Sequence, residues 1–92
     1  MSVEIKWTDV DPQTGQRRFL CVHKFAGQWW FKSKPQRRGE WTRGLEPTLE
    51  MWEHVYDSLQ RRYRRREGVS DEDLEQVGGI VAALRRKRDE EE

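Results

Sequence analysis

Apolar and polar residues alternate from the start of the chain. Val3, Ile5 and Trp7 occupy every second position against Glu4, Lys6 and Thr8, which is the period of a half-buried β-strand. Asp11-Pro12-Gln13-Thr14-Gly15 then interrupts the pattern with turn chemistry: Asp bonds back to turn amides, Pro presets φ, and Gly supplies a positive φ. Arg17 to Phe25 reads as a second strand and Gln28 to Ser33 as a third, joined through the short turn Ala26-Gly27. The pattern predicts an antiparallel meander.

Register decides which aromatic residues are buried. Pairing Asp11 with Gln16 and Phe25 with Gln28 aligns Trp7, Leu20 and Ser33 across the sheet, then Ile5, Val22 and Phe31, then Val3, Lys24 and Trp29. That face is the expected core, with Trp7 buried in it. The opposite face carries Lys6, Phe19, Cys21, His23, Phe25, Trp30 and Lys32, a mixture of aromatic and basic groups. A slip of one residue in the first hairpin is the alternative and would exchange Phe19 with Leu20.

From Pro47 to Arg66 the period becomes helical. Leu49, Trp52, Val55, Tyr56, Leu59 and Tyr63 fall within one sector of a helical wheel, and Pro47 suits the first helical position. Glu46, Glu50 and Glu53 sit near the positive end of the helix dipole, and Arg61, Arg62, Arg64, Arg65 and Arg66 near the negative end. Arg61, Arg64 and Arg65 lie opposite the apolar stripe, which turns them to solvent.

Gly68 ends this helix, and Ser70 with Asp73 three residues on marks the start of another, with Val69 and Leu74 placed for a hydrophobic staple. Its stripe is Leu74, Val77, Ile80, Val81 and Leu84. Gly78 and Gly79 interrupt it at a cost, which points to a close helix crossing or to a kink. Arg85 to Arg88 complement the helix C-terminus. Between strands and helices, Lys34 to Gly44 reads as a loop of net charge +3, with Trp41 tacked onto the core.

The resulting expectation is an α+β fold in the order β-β-β-α-α, a three-stranded antiparallel β-meander followed by two α-helices packed on one face of the sheet. One small domain over residues 1–88 is expected, with a disordered acidic tail at 89–92.

Composition sharpens this picture. Charged residues make up 38% of the 92 and apolar ones 34%, a balance near that of disordered chains, but five Trp, three Phe and two Tyr supply large buriable surfaces. The single cysteine, Cys21, excludes an internal disulfide. The stretch MSVEIKWTDV has no signal-peptide pattern and no apolar run approaches a membrane span, so a cytoplasmic location without membrane association is expected. The net charge of +1 hides an asymmetry: residues 1–66 hold 14 basic and 8 acidic groups, residues 67–92 hold 4 basic and 9 acidic. The first part attracts an anionic partner.

Enzyme constellations are nearly absent. Cys21 and His23 share a strand face, but with His54 as the only other soft ligand they make no zinc set, and they lack the third group that would orient a nucleophile. Gly39 and Gly44 fit neither a P-loop nor a dinucleotide fingerprint. The expectation is a non-enzymatic domain without cofactor, metal or evident small-molecule substrate.

The strongest functional signal is the interleaving of basic and aromatic residues from Trp29 to Arg43, together with the arginines of the long helix. Guanidinium groups chelate phosphate oxygens and aromatic faces stack on unpaired bases, the combination used to hold RNA or single-stranded DNA. The candidate nucleic-acid-binding residues are Trp30, Lys32, Lys34, Arg37, Arg38, Arg43, Arg61, Arg64 and Arg65. The alternative is a protein-interaction module or homodimer anchored by Trp30, Phe19 and Phe25. The bland explanation is a solvated helix end and core tryptophans shielded by Arg planes. The helix pair joined at Glu67-Gly68 has the outline of a helix-turn-helix, but no residue set marks the second helix, acidic at its start, as a groove reader.

Overall fold

The initial alternation becomes strand β1, Glu4–Val10, in the computed structural model of the chain, which describes residues 3–35, 38–43 and 45–91. Strands β2 (Arg17–Phe25) and β3 (Gln28–Lys34) follow, and a two-residue strand β4 (Thr42–Arg43) pairs with the end of β3. Helices α1 (Leu49–Arg64) and α2 (Asp71–Glu91) complete an α+β fold. β4 is an addition to the expected three strands. It lies inside the segment read as a loop, because two paired residues leave no periodicity to detect.

The chain divides into two compact units, Met1–Glu46 and Pro47–Glu92. In the first unit the strands run in the order β1-β2-β3-β4, each antiparallel to its neighbour. The expected register holds. Trp7, Leu20 and Ser33 align, as do Ile5, Val22 and Phe31, and Lys24 faces Trp29 while its amide donates to the Val3 carbonyl at 3.1 Å. The slipped hairpin is therefore excluded.

Turn chemistry explains why. The Asp11 carboxylate accepts from the Gln13 amide at 2.9 Å, the Asp11 carbonyl accepts from Gly15 at 2.7 Å, and the Asp11 amide donates to Gln16 at 2.9 Å. At the second turn Ala26 (φ 53°) and Gly27 (φ 76°) are both left-handed, as a two-residue hairpin of matching twist requires.

Val3, Ile5, Leu20, Val22 and Phe31 are buried on one sheet face. Trp7 is only half-buried, against expectation: its ring meets Phe31 edge-on, with centroids 6.5 Å apart, on a strand that has a neighbour on one side only. At the end of the same face Arg18 grips Asp9 of β1 with two hydrogen bonds of 2.7 and 3.1 Å.

In the second unit Thr48, rather than a residue before Pro47, caps α1, accepting from the Met51 amide at 3.3 Å. Pro47 therefore precedes the helix instead of opening it, and the Thr48 hydroxyl satisfies one of the first-turn amides that have no partner within the helix. Leu49, Met51, Trp52, Val55 and Leu59 are buried, while Tyr56 is half-buried and Tyr63 exposed, so the stripe is shifted toward Met51.

The helix ends before Gly68. Arg66 adopts the left-handed conformation (φ 59°), its amide donates to Tyr63 at 3.0 Å and that of Glu67 to Arg62 at 2.9 Å, the bonding pattern of a Schellman motif. Helix α2 opens as expected on a reciprocal capping box: the Ser70 amide donates to the Asp73 carboxylate (3.2 Å) and the Asp73 amide to the Ser70 hydroxyl (3.1 Å).

Helix α2 runs on to Glu91. Arg85 and Arg88 reach back to Glu53 (2.6 Å) and Glu50 (2.7 Å) of α1, so the helices are antiparallel and these arginines serve α1 rather than their own C-terminus. Gly78 lies against Tyr56 of α1, the close approach that the glycine pair foreshadowed; Gly79 faces open space.

Candidate nucleic-acid interface

The second sheet face is built by the same alternation that buries the first. Taken along the strands, it shows successive rows: Phe25 beside the β2–β3 turn, then Glu4, His23 and Trp30, then Lys6, Cys21, Lys32 and Arg43, then Thr8, Phe19 and Lys34. Neighbouring rows are roughly 7 Å apart, two residues of strand rise. Aromatic groups therefore gather toward the β2–β3 turn and cations collect one row further on.

Trp30 is 48% exposed and Phe25 69%. The Trp30 indole N–H donates to the Phe25 carbonyl at 3.4 Å, which ties the ring to the turn. A groove of about 500 Å³ runs between these rings and the neighbouring cations, lined by Glu4, His23, Phe25, Trp30, Phe31, Lys32 and Arg43. On its floor His23 keeps Nδ1 buried with no hydrogen-bond partner. Glu4 pairs with Lys6 at 3.3 Å across one strand repeat.

The other end of the face is already loaded with cations. The Lys34 ammonium lies 4.5 Å from the Trp41 ring centre and 5.9 Å from that of Phe19, and Lys32 lies 5.0 Å from Trp41. Trp41 is thus a platform for two lysines on this face, not a piece of core. A smaller hollow of about 320 Å³ opens beside it, with Lys6, Thr8, Phe19 and Lys34 among its walls.

Of the candidate residues, the structure brings Trp30, Lys32, Lys34 and Arg43 onto one sheet face. Arg38 is exposed in the loop before β4, and Arg37 lies outside the described residues. Arg61 and Arg64 on α1 and Arg65 at its C-cap are exposed as expected, but they belong to the second unit. Arg61 is paired with Asp57 at 3.0 Å and Arg65 with Glu67 at 3.9 Å, so part of that charge is answered locally. The residues missing from the candidate set are Glu4, Lys6, His23, Phe25 and Trp41. The expected register had placed Lys6, His23 and Phe25 on this face, and Glu4 follows from the same alternation; nothing in the sequence signalled the lysine contacts of Trp41.

Other chemistry finds little support in the geometry. Burial pushes the Cys21 thiol up, and Glu4 adds to the shift, the opposite of what a nucleophile needs. Burial lowers the affinity of His54 for a proton, with Arg61 adding to the effect. Among the described residues no group of three or more potential metal ligands gathers, and no helix is long and apolar enough to cross a membrane. In comparisons with known proteins, the chain matches no family model, no curated protein and no solved structure.

Proposed function

We propose that this protein is a non-enzymatic domain that binds single-stranded nucleic acid, RNA or DNA, on the second face of its sheet. The observation that carries the reading is the placement of two exposed rings on one sheet face, Trp30 one row and Phe25 two rows from Lys32 and Arg43. Unpaired bases offer π-faces to such rings while phosphates answer the cations, and a duplex hides its bases from both. A protein partner would find the same rings, but the cations that border them favour a polyanion.

Titration of labelled single-stranded RNA, single-stranded DNA and duplex DNA at two salt concentrations tests this. Three or four phosphate contacts from Lys6, Lys32, Lys34 and Arg43 imply a log–log salt slope of about −2 to −3 on a single strand. Duplex should bind more weakly than either single strand. Absence of binding to all three at low salt would discard the reading and leave a protein-interaction module or homodimer anchored by Phe25 and Trp30.

A further inference from the structure

The second sheet face is not uniform along its length, and the difference between its ends carries more than the fact of binding. Phe25 and Trp30 are open: among the described residues no lysine stands over either ring, whereas Phe19 and Trp41 at the far end are covered by Lys34, and Trp41 by Lys32 as well. An open ring can take a base; a covered one presents an ammonium group. Between them lies the row of Lys6, Lys32 and Arg43.

The acceptors are distributed with the same bias. Glu4 sits at the ring end, across β2 from Trp30, with His23 between them. Two strand spacings separate Glu4 from Trp30, about 10 Å, which a base lying against Trp30 above His23 can bridge with its polar edge. The pair of Glu4 with Lys6 at 3.3 Å offsets its charge against the neighbouring phosphate track. Beside a base edge the carboxylate is an acceptor for an exocyclic amino group, the way Glu and Asp accept from cytosine N4.

We propose that a single strand lies along the direction of the β-strands with one unpaired base seated in the groove against Phe25 and Trp30, its backbone passing over Lys32, Lys6 and Arg43 toward Lys34, and that Glu4 selects a base bearing an amino group over uracil. This rests on the single-strand reading above. The successive rows are spaced at a step that one extended nucleotide spans, so the face accommodates two to three nucleotides (about 20 Å from Phe25 to Lys34, given the strand rise). Trp30 is already tied to the turn through its indole N–H, so less rotational freedom is lost when a base stacks on it.

The test uses the full chain and RNA octamers of adenine, cytosine or uracil alone, with DNA counterparts as parallel arms. The adenine and cytosine octamers should bind about 10- to 100-fold more tightly than uracil, the scale of one hydrogen bond to a charged group. Glu4→Ala should erase that difference. Trp30→Ala should weaken every octamer by about 10-fold or more, as loss of one stacked base does, and Phe25→Ser, at a still more exposed position, should weaken them in the same direction. Lys32→Gln with Lys34→Gln should flatten the salt slope by about 1 to 2 and leave the base preference intact. Thermal melts of each variant identify any that fail to fold.

Equal binding of all three octamers by the unchanged protein would overturn the selection by Glu4. Binding that ignores Trp30→Ala and Phe25→Ser but disappears when Arg61, Arg64 and Arg65 become Gln would overturn the seat itself while leaving single-strand binding in place. No binding to any octamer at low salt removes the single-strand reading, and this proposal with it.

Discussion

Gly78 of α2 lies so close to Tyr56 of α1 that a Cβ placed on it would stand 3.2 Å from both Cε1 and the phenol oxygen of that ring, while Gly79, the next residue, faces nothing within 4 Å. Two adjacent glycines with the same helix propensity therefore answer to different physics. Gly78→Leu should destabilise the protein by about 1–3 kcal/mol through overpacking. Gly79→Ala should stabilise it by up to ~1 kcal/mol, the propensity difference alone. Chemical denaturation of both variants decides the matter, and stabilisation by both would dissolve the crossing.

Among the described residues, two other than glycine are held at positive φ, Ala26 at 53° in the β2–β3 turn and Arg66 at 59° after α1. Each side chain crowds its own backbone there. Arg66→Gly and Ala26→Asn are expected to stabilise by about 0.5–1 kcal/mol each, since Gly and Asn accept this conformation readily. The sites lie in different units, so the gains should add, and a double variant measured beside the singles checks that.

Arg18 and Asp9 form a bidentate pair on the apolar sheet face, where the Arg18 side chain is only 14% exposed, and Asp11 approaches the same guanidinium at 3.8 Å. A pair this sheltered should matter more than a surface ion pair. Arg18→Ala should cost about 1–3 kcal/mol, much of it from leaving Asp9 partly buried without its partner. A double-mutant cycle with Asp9→Ala that returned no coupling energy would show the pair to be ornamental.

Stability should fall in two stages on acidification. The neutral form of His54 is favoured in the fold by burial and by Arg61, so its contribution is complete above the ordinary imidazole range and is lost as pH falls from about 6.5. Glu50, hydrogen-bonded to Arg88, is held below the usual carboxylate range, so its contribution is complete above that range and is lost as pH falls from there through its own lowered value. Melting temperatures between pH 8 and 3 should show both stages. His54→Gln should remove the upper stage, and Arg88→Gln should shrink the lower one.

The sheet was legible in the sequence because its signals agree: alternation in β1, turn residues at Asp11 and Gly15, and one register that collects Ile5, Val22 and Phe31 on a single face. The capping box at Ser70 was equally plain, since two residues specify it. Single apolar positions proved harder. Trp7 has the right period but stands on an outermost strand, and Met51 lies off the strict stripe yet is buried. Contacts made by long flexible side chains leave no local trace. The lysines over Trp41, and Arg85 and Arg88 reaching Glu53 and Glu50, depend on distances that only the folded chain defines.

Cys21 occupies the middle of β2 with no exposed surface, flanked across the sheet by Lys6 and Lys32. A sulfhydryl reagent can touch it only when the side chains covering this face move aside or the sheet itself opens. Its rate of modification therefore counts openings of the sheet unit, and an opening energy near 4 kcal/mol would slow labelling about a thousandfold relative to the unfolded chain. Circular dichroism follows the loss of α1 and α2 independently of that sulfur. The chain thus carries its own clock for one unit and an optical signal for the other: if the two denaturation midpoints coincide, sheet and helical hairpin melt as one cooperative body, and if they separate, each half keeps time by itself.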